Sequence, residues 1–156
     1  MRVHLIAVGK RMPVWVKESF SDYNKRLPDE LHLNLIEITP ATRSKHNPAS
    51  KNIAEEDKKI RAAIPKQSMI IALDEKGKQF DSPSLSKKLA SWSRQGRDIT
   101  FVIGGADGLA DDFKKSADML WSLSSLTLPH ALVRVIVAEQ IYRAWSILNN
   151  HPYHRE

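Results

Sequence analysis

The stretch "FVIGGADGL", residues 101–109, decides the reading of the chain. Three apolar residues with β preference run straight into Gly104 and Gly105, and Gly108 follows three residues later. A strand that ends in clustered glycines hands its chain to a tight turn or to a ligand loop. The spacing GGxxG is not the G-x-G-x-x-G of a dinucleotide site, and no GK[ST] follows as in a P-loop. Asp107, Asp111 and Asp112 stand at or near the start of the next helix. There they suit the helix dipole and repel a phosphate that would use the same amides. Two readings stand: a loop for a neutral or cationic ligand that needs close backbone approach, or a tight strand–helix turn with acidic capping.

Working outward, strands and helices alternate. "RVHLIAV" (2–8) predicts a strand, and "PVWVKESFSDYNKRL" (13–27) a helix with Val16, Phe20, Tyr23 and Leu27 on one face, ended by Pro28. "LHLNLIEI" (31–38) alternates as a strand with Leu31, Leu33 and Leu35 on one side. The polar, proline-containing stretch 39–52 reads as a long mobile loop. Residues 50–64 predict a helix with Ile53, Ile60 and Ile64 inward. "SMIIALD" (68–74) is a fully apolar strand, the kind covered on both faces in a parallel sheet. Ser82 and Pro83 cap a helix carrying Leu85, Leu89 and Trp92, which Gly96 closes. After the strand at 98–105 come a short acidic helix over 109–118, a strand "MLWSL" (119–123) and a long helix from His130 to Leu148. This rhythm predicts a single α/β domain spanning 1–156, with a mostly parallel sheet of five to six strands flanked by helices.

The bulk properties narrow the class. A chain of 156 residues buries roughly 70% of its unfolded surface and needs no staple. The absence of cysteine excludes disulfides, thiolate zinc sites and iron–sulfur clusters. The N-terminal apolar run is short and reads as a strand, not a signal peptide, and no run approaches the roughly 20 residues of a membrane span. A cytoplasmic protein without a membrane partner is expected. Of the net charge of +6, residues 1–66 hold +5 (13 Lys/Arg against 8 Asp/Glu), which points to a polyanionic partner on that side. Lys10, Arg11, Arg43 and Lys45 are candidate phosphate contacts, or solvated surface.

The last helix, "HALVRVIVAEQIYRAWSIL", is apolar around most of its circumference, with only Arg134, Glu139 and Arg143 charged. A surface helix shows one apolar stripe, so this one is either buried within the domain or covers a second surface. In so small a chain a homodimer interface is the favoured reading. Trp15, Trp92, Trp121 and Trp145 read as core or interface. The stretch "MLWSLSSLTLPHALV" (119–133) contains no Asp, Glu, Lys or Arg; its hydroxyls alternate with leucines until Pro129. It is either a buried strand and turn or a purine pocket, with leucines against the ring and backbone groups reading its polar edge.

"FVIGGADGL", then "SLSSLTLPH", then "EQIYRAWSILNNHPYHRE" resemble, in that order, the small SPOUT-class (α/β-knot) methyltransferases that modify a pseudouridine of bacterial large-subunit ribosomal RNA. The resemblance spans the whole chain. It implies a knotted α/β domain acting as a dimer. The implied cofactor is S-adenosylmethionine, held by Leu73, by Gly104 with Gly105, and by the backbone of Leu123, Ser124, Ser125, Leu126, Thr127 and Leu128. It also implies methylation of ring N3 of the pseudouridine. A sulfonium without phosphates suits an acidic glycine loop. The family often carries proline after the two glycines, where this chain has Ala106.

Methylating N3 requires losing its proton, whose pKa lies about two to three units above neutral; ionising it first costs ~3–4 kcal/mol. A positioned base, or donors that stabilise the anion, meets that demand. The tail "HPYHRE" supplies candidates: Tyr153 to stack on an extruded base, His154 to accept a proton, Arg155 to hold a phosphate or carbonyl. The plain alternative is a disordered chain end. In a dimer the tail of one subunit would complete the other's pocket. His151 and His154 form an H-x-x-H with too few further ligands for zinc, so no metal is expected. With no appended RNA-binding domain and a charge of only +6, the expected substrate is the assembled ribosome, and the expected partner its RNA. Two rivals are a dinucleotide-using transferase or hydrolase, against which the acidic loop argues, and a non-catalytic ribosome-associated dimer that keeps only the fold.

Overall fold

The structure is a computed structural model that describes residues 1–155. The strands β1 (Val3–Val8), β2 (Leu33–Ile38), β3 (Met69–Lys78), β4 (Ile99–Ile103) and β5 (Met119–Trp121) form one sheet in the order β2-β1-β4-β3-β5. Every pairing is parallel, with Val3 opposite both Leu33 and Ile99, and Ile99 opposite Met69. Every residue of the central pair β1 and β4 is buried, as expected for apolar strands covered on both faces.

The period of two divides the core. Val3, Leu5, Ala7, Phe101 and Ile71 join one cluster with residues of α1 (Val14–Arg26), α3 (Ser82–Gln95) and α5 (His130–Leu148). Ile6, Val8, Val102 and Ala72 join the other, with Ile60 of α2 (Ala49–Ala63) and Phe113 of α4 (Asp111–Ser116). The result is a helix–sheet–helix sandwich. Because all strands run the same way, the segments after their carboxyl ends gather at one edge of the sheet, where α/β proteins bind ligands.

Several expectations shift. Leu31 belongs to a short 3₁₀ turn (Asp29–Leu31), so β2 starts at Leu33; Asn24 holds that entry by accepting the Leu33 N–H at 2.7 Å. The cap of α3 is Asp81, whose side chain accepts the Ser84 N–H at 2.8 Å and is held below the usual carboxylate range by Ser84. Ser82 instead donates to Gln140 of α5. In α2 the buried positions are Asn52, Glu56 and Ile60, while Ile53 and Ile64 are half-buried. The helix is therefore turned so that two polar side chains face inward at i, i+4. β3 runs on to Lys78 instead of stopping at Asp74, and bulges away from β5 between Leu73 and Lys78.

Part of the apolar circumference of α5 is covered inside the chain: the helix packs against both α1 and α3, and Val137, Ala138, Ile141 and Ala144 are fully buried, while Leu132, Val133, Val135, Ile136 and Ile147 are half-buried. No residue from 131 to 147 is exposed. Trp92 and Trp121 lie in the core and Trp145 is half-buried, but Trp15 is not a core residue: it is 54% exposed on the first turn of α1, beside Val14 at 68%. No helix among the described residues is long and apolar enough to cross a membrane.

Candidate functional site

A cavity of about 420 Å³ opens at the carboxyl edge of the sheet. Its walls come from the end of β3, the turn after β4, the segment joining β5 to α5, and the first turn of α5. Of the nine residues expected to hold a cofactor, Leu73, Gly104, Gly105, Leu123, Ser124, Leu126, Thr127 and Leu128 line it; Ser125 does not.

The turn after β4 folds back on itself, the Gly108 N–H donating to the Gly105 carbonyl at 3.0 Å. Gly104 is required by that fold: a Cβ there would stand 2.8 Å from the carbonyl carbon of Gly108. The segment 122–128 has no regular structure and satisfies itself with hydroxyls. Ser122 Oγ donates to the Ser124 carbonyl at 2.9 Å, and Ser124 Oγ accepts the Leu126 N–H at 2.9 Å. Ser122 N–H donates to the Lys78 carbonyl at 3.0 Å, and Thr127 Oγ1 donates to Glu75 Oε2 at 3.0 Å. The segment is thus tied to the β3 bulge across the cavity.

Sequence reasoning missed the bulge and what it delivers. Asp74, Glu75 and Lys76 line the cavity, as do Asp107, Lys114 and His130. The only sign of the bulge was Gly77, where a Cβ would press within 2.8 Å of Leu120 and Trp121 backbone atoms. Lys114 Nζ lies 3.7 Å from Asp74, and Arg43 Nη2 reaches Asp107 Oδ2 at 2.8 Å. Of the 39–52 stretch expected to be a long mobile loop, 49–52 already belong to α2, and the remaining 39–48 segment touches the glycine turn through Arg43 and has Ala41 buried. His130 carries a buried Nδ1 without a partner among the described residues. One turn later the buried Arg134 donates to the Gly9 carbonyl at 2.8 Å and to Glu37 at 2.7 Å, fastening α5 to the ends of β1 and β2.

The tail residues are elsewhere. Tyr153, His154 and Arg155 do not line the cavity of their own chain. Tyr153 and His154 lie in a 3₁₀ turn (Pro152–His154) docked on α5. The Tyr153 hydroxyl donates to Glu139 Oε2 at 2.6 Å, which Arg143 Nη2 also meets at 3.0 Å. Its ring packs against Tyr142 at 4.6 Å and beneath the Arg143 guanidinium at 5.1 Å. Burial first, then the bond to Glu139, pushes the Tyr153 phenol well above its ordinary pKa. His154 Nδ1 is 3.4 Å from Ser146 Oγ, and Arg155 is exposed. The described part of the tail is thus a packed element. Among the described residues no three His, Asp or Glu side chains come together as a metal site.

Residues 1–154 match the family model described as "Predicted SPOUT methyltransferase". The chain belongs to the SPOUT methyltransferase family. Relatives named "Ribosomal RNA large subunit methyltransferase H" include those of Herminiimonas arsenicoxydans (55% identical over 155 residues, 99% of each chain) and Thioalkalivibrio sulfidiphilus (51% over 156 residues, 100% of each). The relative from Paraburkholderia xenovorans, with the same name, is 54% identical over 99% of each chain. Among solved structures, a probable methylase family protein of Haemophilus influenzae shares the fold, with TM-score 0.63 at 13% identity over 99% of this chain and 70% of that one. A probable methyltransferase of Bordetella pertussis gives 0.56 at 14%, covering 92% and 95%.

Proposed function

We propose that this chain is an S-adenosylmethionine-dependent methyltransferase that places a methyl on ring N3 of a pseudouridine in large-subunit ribosomal RNA. We propose further that it works in the cytoplasm as a knotted homodimer, on assembled ribosomes. The observation that carries this reading is the cavity at the carboxyl edge of the sheet, lined by eight of the nine residues the family resemblance implies. Full-length relatives at about half identity, all named for large-subunit ribosomal RNA methylation, support the substrate class and leave a non-catalytic module without support.

The lining fits the cofactor. Leu73, Leu123, Leu126 and Leu128 offer apolar faces for a purine, and the backbone of 123–128 offers its polar groups. Asp74, Glu75 and Asp107 give the cavity carboxylates that suit a sulfonium, with Lys76 and Lys114 also in the lining. When bound, S-adenosylmethionine supplies an activated methyl on sulfur.

The chain's own residues position the base and manage its proton. Losing the N3 proton in advance costs ~3–4 kcal/mol, a demand that His154 as proton acceptor and Arg155 as a cation beside a carbonyl would meet. Neither lines its own chain's cavity, so the tail of one protomer would serve the cavity of the other. Support for a dimer comes from the apolar residues the fold leaves outside the cavity: Val14, Trp15 and Leu148 are 68%, 54% and 43% exposed. Such an arrangement buries them against a copy. The knot is proposed on the path from β5 through 122–129 to α5, which returns to Gly9 after β1 through Arg134.

Titration calorimetry with S-adenosylmethionine, with NADH as control, tests the cavity. Saturable binding of the first alone is expected. If neither ligand binds, the glycine loop is only a turn and the enzyme reading falls.

A further inference from the structure

Glu56 is 3% exposed and faces inward from α2. Its Oε2 accepts the Ala41 N–H at 2.9 Å, and its Oε1 has no hydrogen-bond partner among the described residues. That Oε1 lies 3.0 Å from where a Cβ of Gly105 would stand, with Val8 Cγ1 at the same distance. The carboxylate is therefore packed against the backbone of the glycine turn. Gly105 lines the cavity and Glu56 does not, so Glu56 reaches the cavity only through that glycine. One turn earlier on α2, Asn52 is also buried with an unpartnered Oδ1.

A buried carboxylate with an unused acceptor is costly in a core where an apolar side chain would pack as well. Its surroundings give it a use. The 39–48 segment meets the glycine turn at two points, through Ala41 on Glu56 and directly through Arg43 on Asp107 at 2.8 Å. We infer that Glu56 is a positioning residue of the cofactor turn. One oxygen holds the 39–48 segment and the other packs against Gly105, so the carboxylate sets where that glycine stands in the cavity wall. Residues 39–48, with Arg43 and Lys45 exposed, and the cofactor turn then move as one unit.

This inference rests on the methyl-donor reading of the cavity, and the test separates the two. The full chain carrying Glu56→Gln, which keeps the shape but offers one acceptor in place of two, is compared with wild type. Thermal melting, calorimetry with S-adenosylmethionine and with its demethylated product, and hydrogen exchange without ligand are measured. The expected variant melts near wild type and binds both ligands about tenfold more weakly, with kcat at saturating cofactor changed by less than about twofold. Exchange of amides 104–108 and 39–48 rises together. Gly105→Ala reproduces the loss, and with Glu56→Ala the two effects combine to less than their product.

A folded Glu56→Gln protein with unchanged affinity and unchanged exchange at 104–108 overturns the inference. If that variant does not fold, Glu56→Asp, which keeps the charge and shortens the reach to Gly105, carries the same measurements with the same expected and overturning results. If wild type binds no S-adenosylmethionine, the cofactor reading fails by itself. The exchange measurement then still decides, raised exchange sustaining the positioning role and unchanged exchange ending it.

Discussion

The loops around the cavity are shaped by hydrogen bonds among backbone and short hydroxyls, Gly108 to Gly105, Ser122 to Ser124, Leu126 to Ser124 and Ser122 to Lys78, with charged side chains such as Arg43 on Asp107 added to them. At the C-terminal turn the contacts run between long side chains: Tyr153 to Glu139, Arg143 to Glu139, and a tyrosine ring under a guanidinium. The first region is a mould whose shape is set by where glycine and hydroxyl residues stand. The second is a charged and aromatic cluster whose members could take part in proton transfer. On the proposed function, a ligand held by close backbone approach belongs to the first, and acid–base work on a nucleobase to the second. The account therefore predicts that the two regions separate binding from chemistry.

The largest effect tests that separation. Truncation after Asn150 should lower methyl transfer by at least about a hundredfold while leaving S-adenosylmethionine affinity nearly unchanged. Steady-state assay on ribosomes and calorimetry check the pair, and equal losses in both would erase the distinction. Gly104→Val is the converse. Its side chain would meet the Gly108 backbone inside contact distance, so cofactor affinity should fall by more than tenfold, roughly the effect of 1–3 kcal/mol of strain.

Much of this was legible because the signals are local. "FVIGGADGL" marks strand β4 and its turn, the central strands read as apolar runs, and the helix His130–Leu148 has the expected bounds. The residues alone left a turn or a ligand loop open at 104–108 and a buried strand or a purine pocket at 119–133; the family resemblance supplied the nine cofactor residues, of which eight line the cavity. What was hidden depends on partners far apart in the chain. Glu56 is an ordinary acidic helix residue until Ala41 and Gly105 are brought to it, and Asp74 to Lys76 become lining only through a bulge against β5. Ile53 misled because period alone cannot say which of two adjacent faces the sheet will accept. The composition of α5 could not say how its apolar surface is shared: α1 and α3 cover part of the helix, and a homodimer interface on its half-buried remainder is a proposal.

Smaller effects sharpen the contrast. Tyr153→Phe removes the bond to Glu139 and should destabilise the fold by about 1–2 kcal/mol in chemical denaturation at neutral pH. The sign of its pH dependence follows from the raised pKa. In wild type the protonated phenol is favoured by the fold, so this stability is complete below the ordinary tyrosine pKa, about 10, and is lost as pH rises through the folded value. The gap between wild type and Tyr153→Phe should narrow above about pH 10; a constant gap would mean that the hydroxyl is not what holds the turn. Thr127→Val deletes one exposed tie across the cavity, to Glu75, and should weaken cofactor binding by less than about threefold.

The central claim is that this cavity delivers a methyl to a ribosomal pseudouridine. Its most direct test is incubation of purified protein with labelled S-adenosylmethionine and ribosomes lacking the modification, followed by mass spectrometry of large-subunit RNA nucleosides. The account predicts one labelled methyl per large subunit, recovered as N3-methylpseudouridine and lost with the C-terminal truncation. Saturable cofactor binding without label in the large-subunit RNA, or label on a different nucleoside, would contradict it.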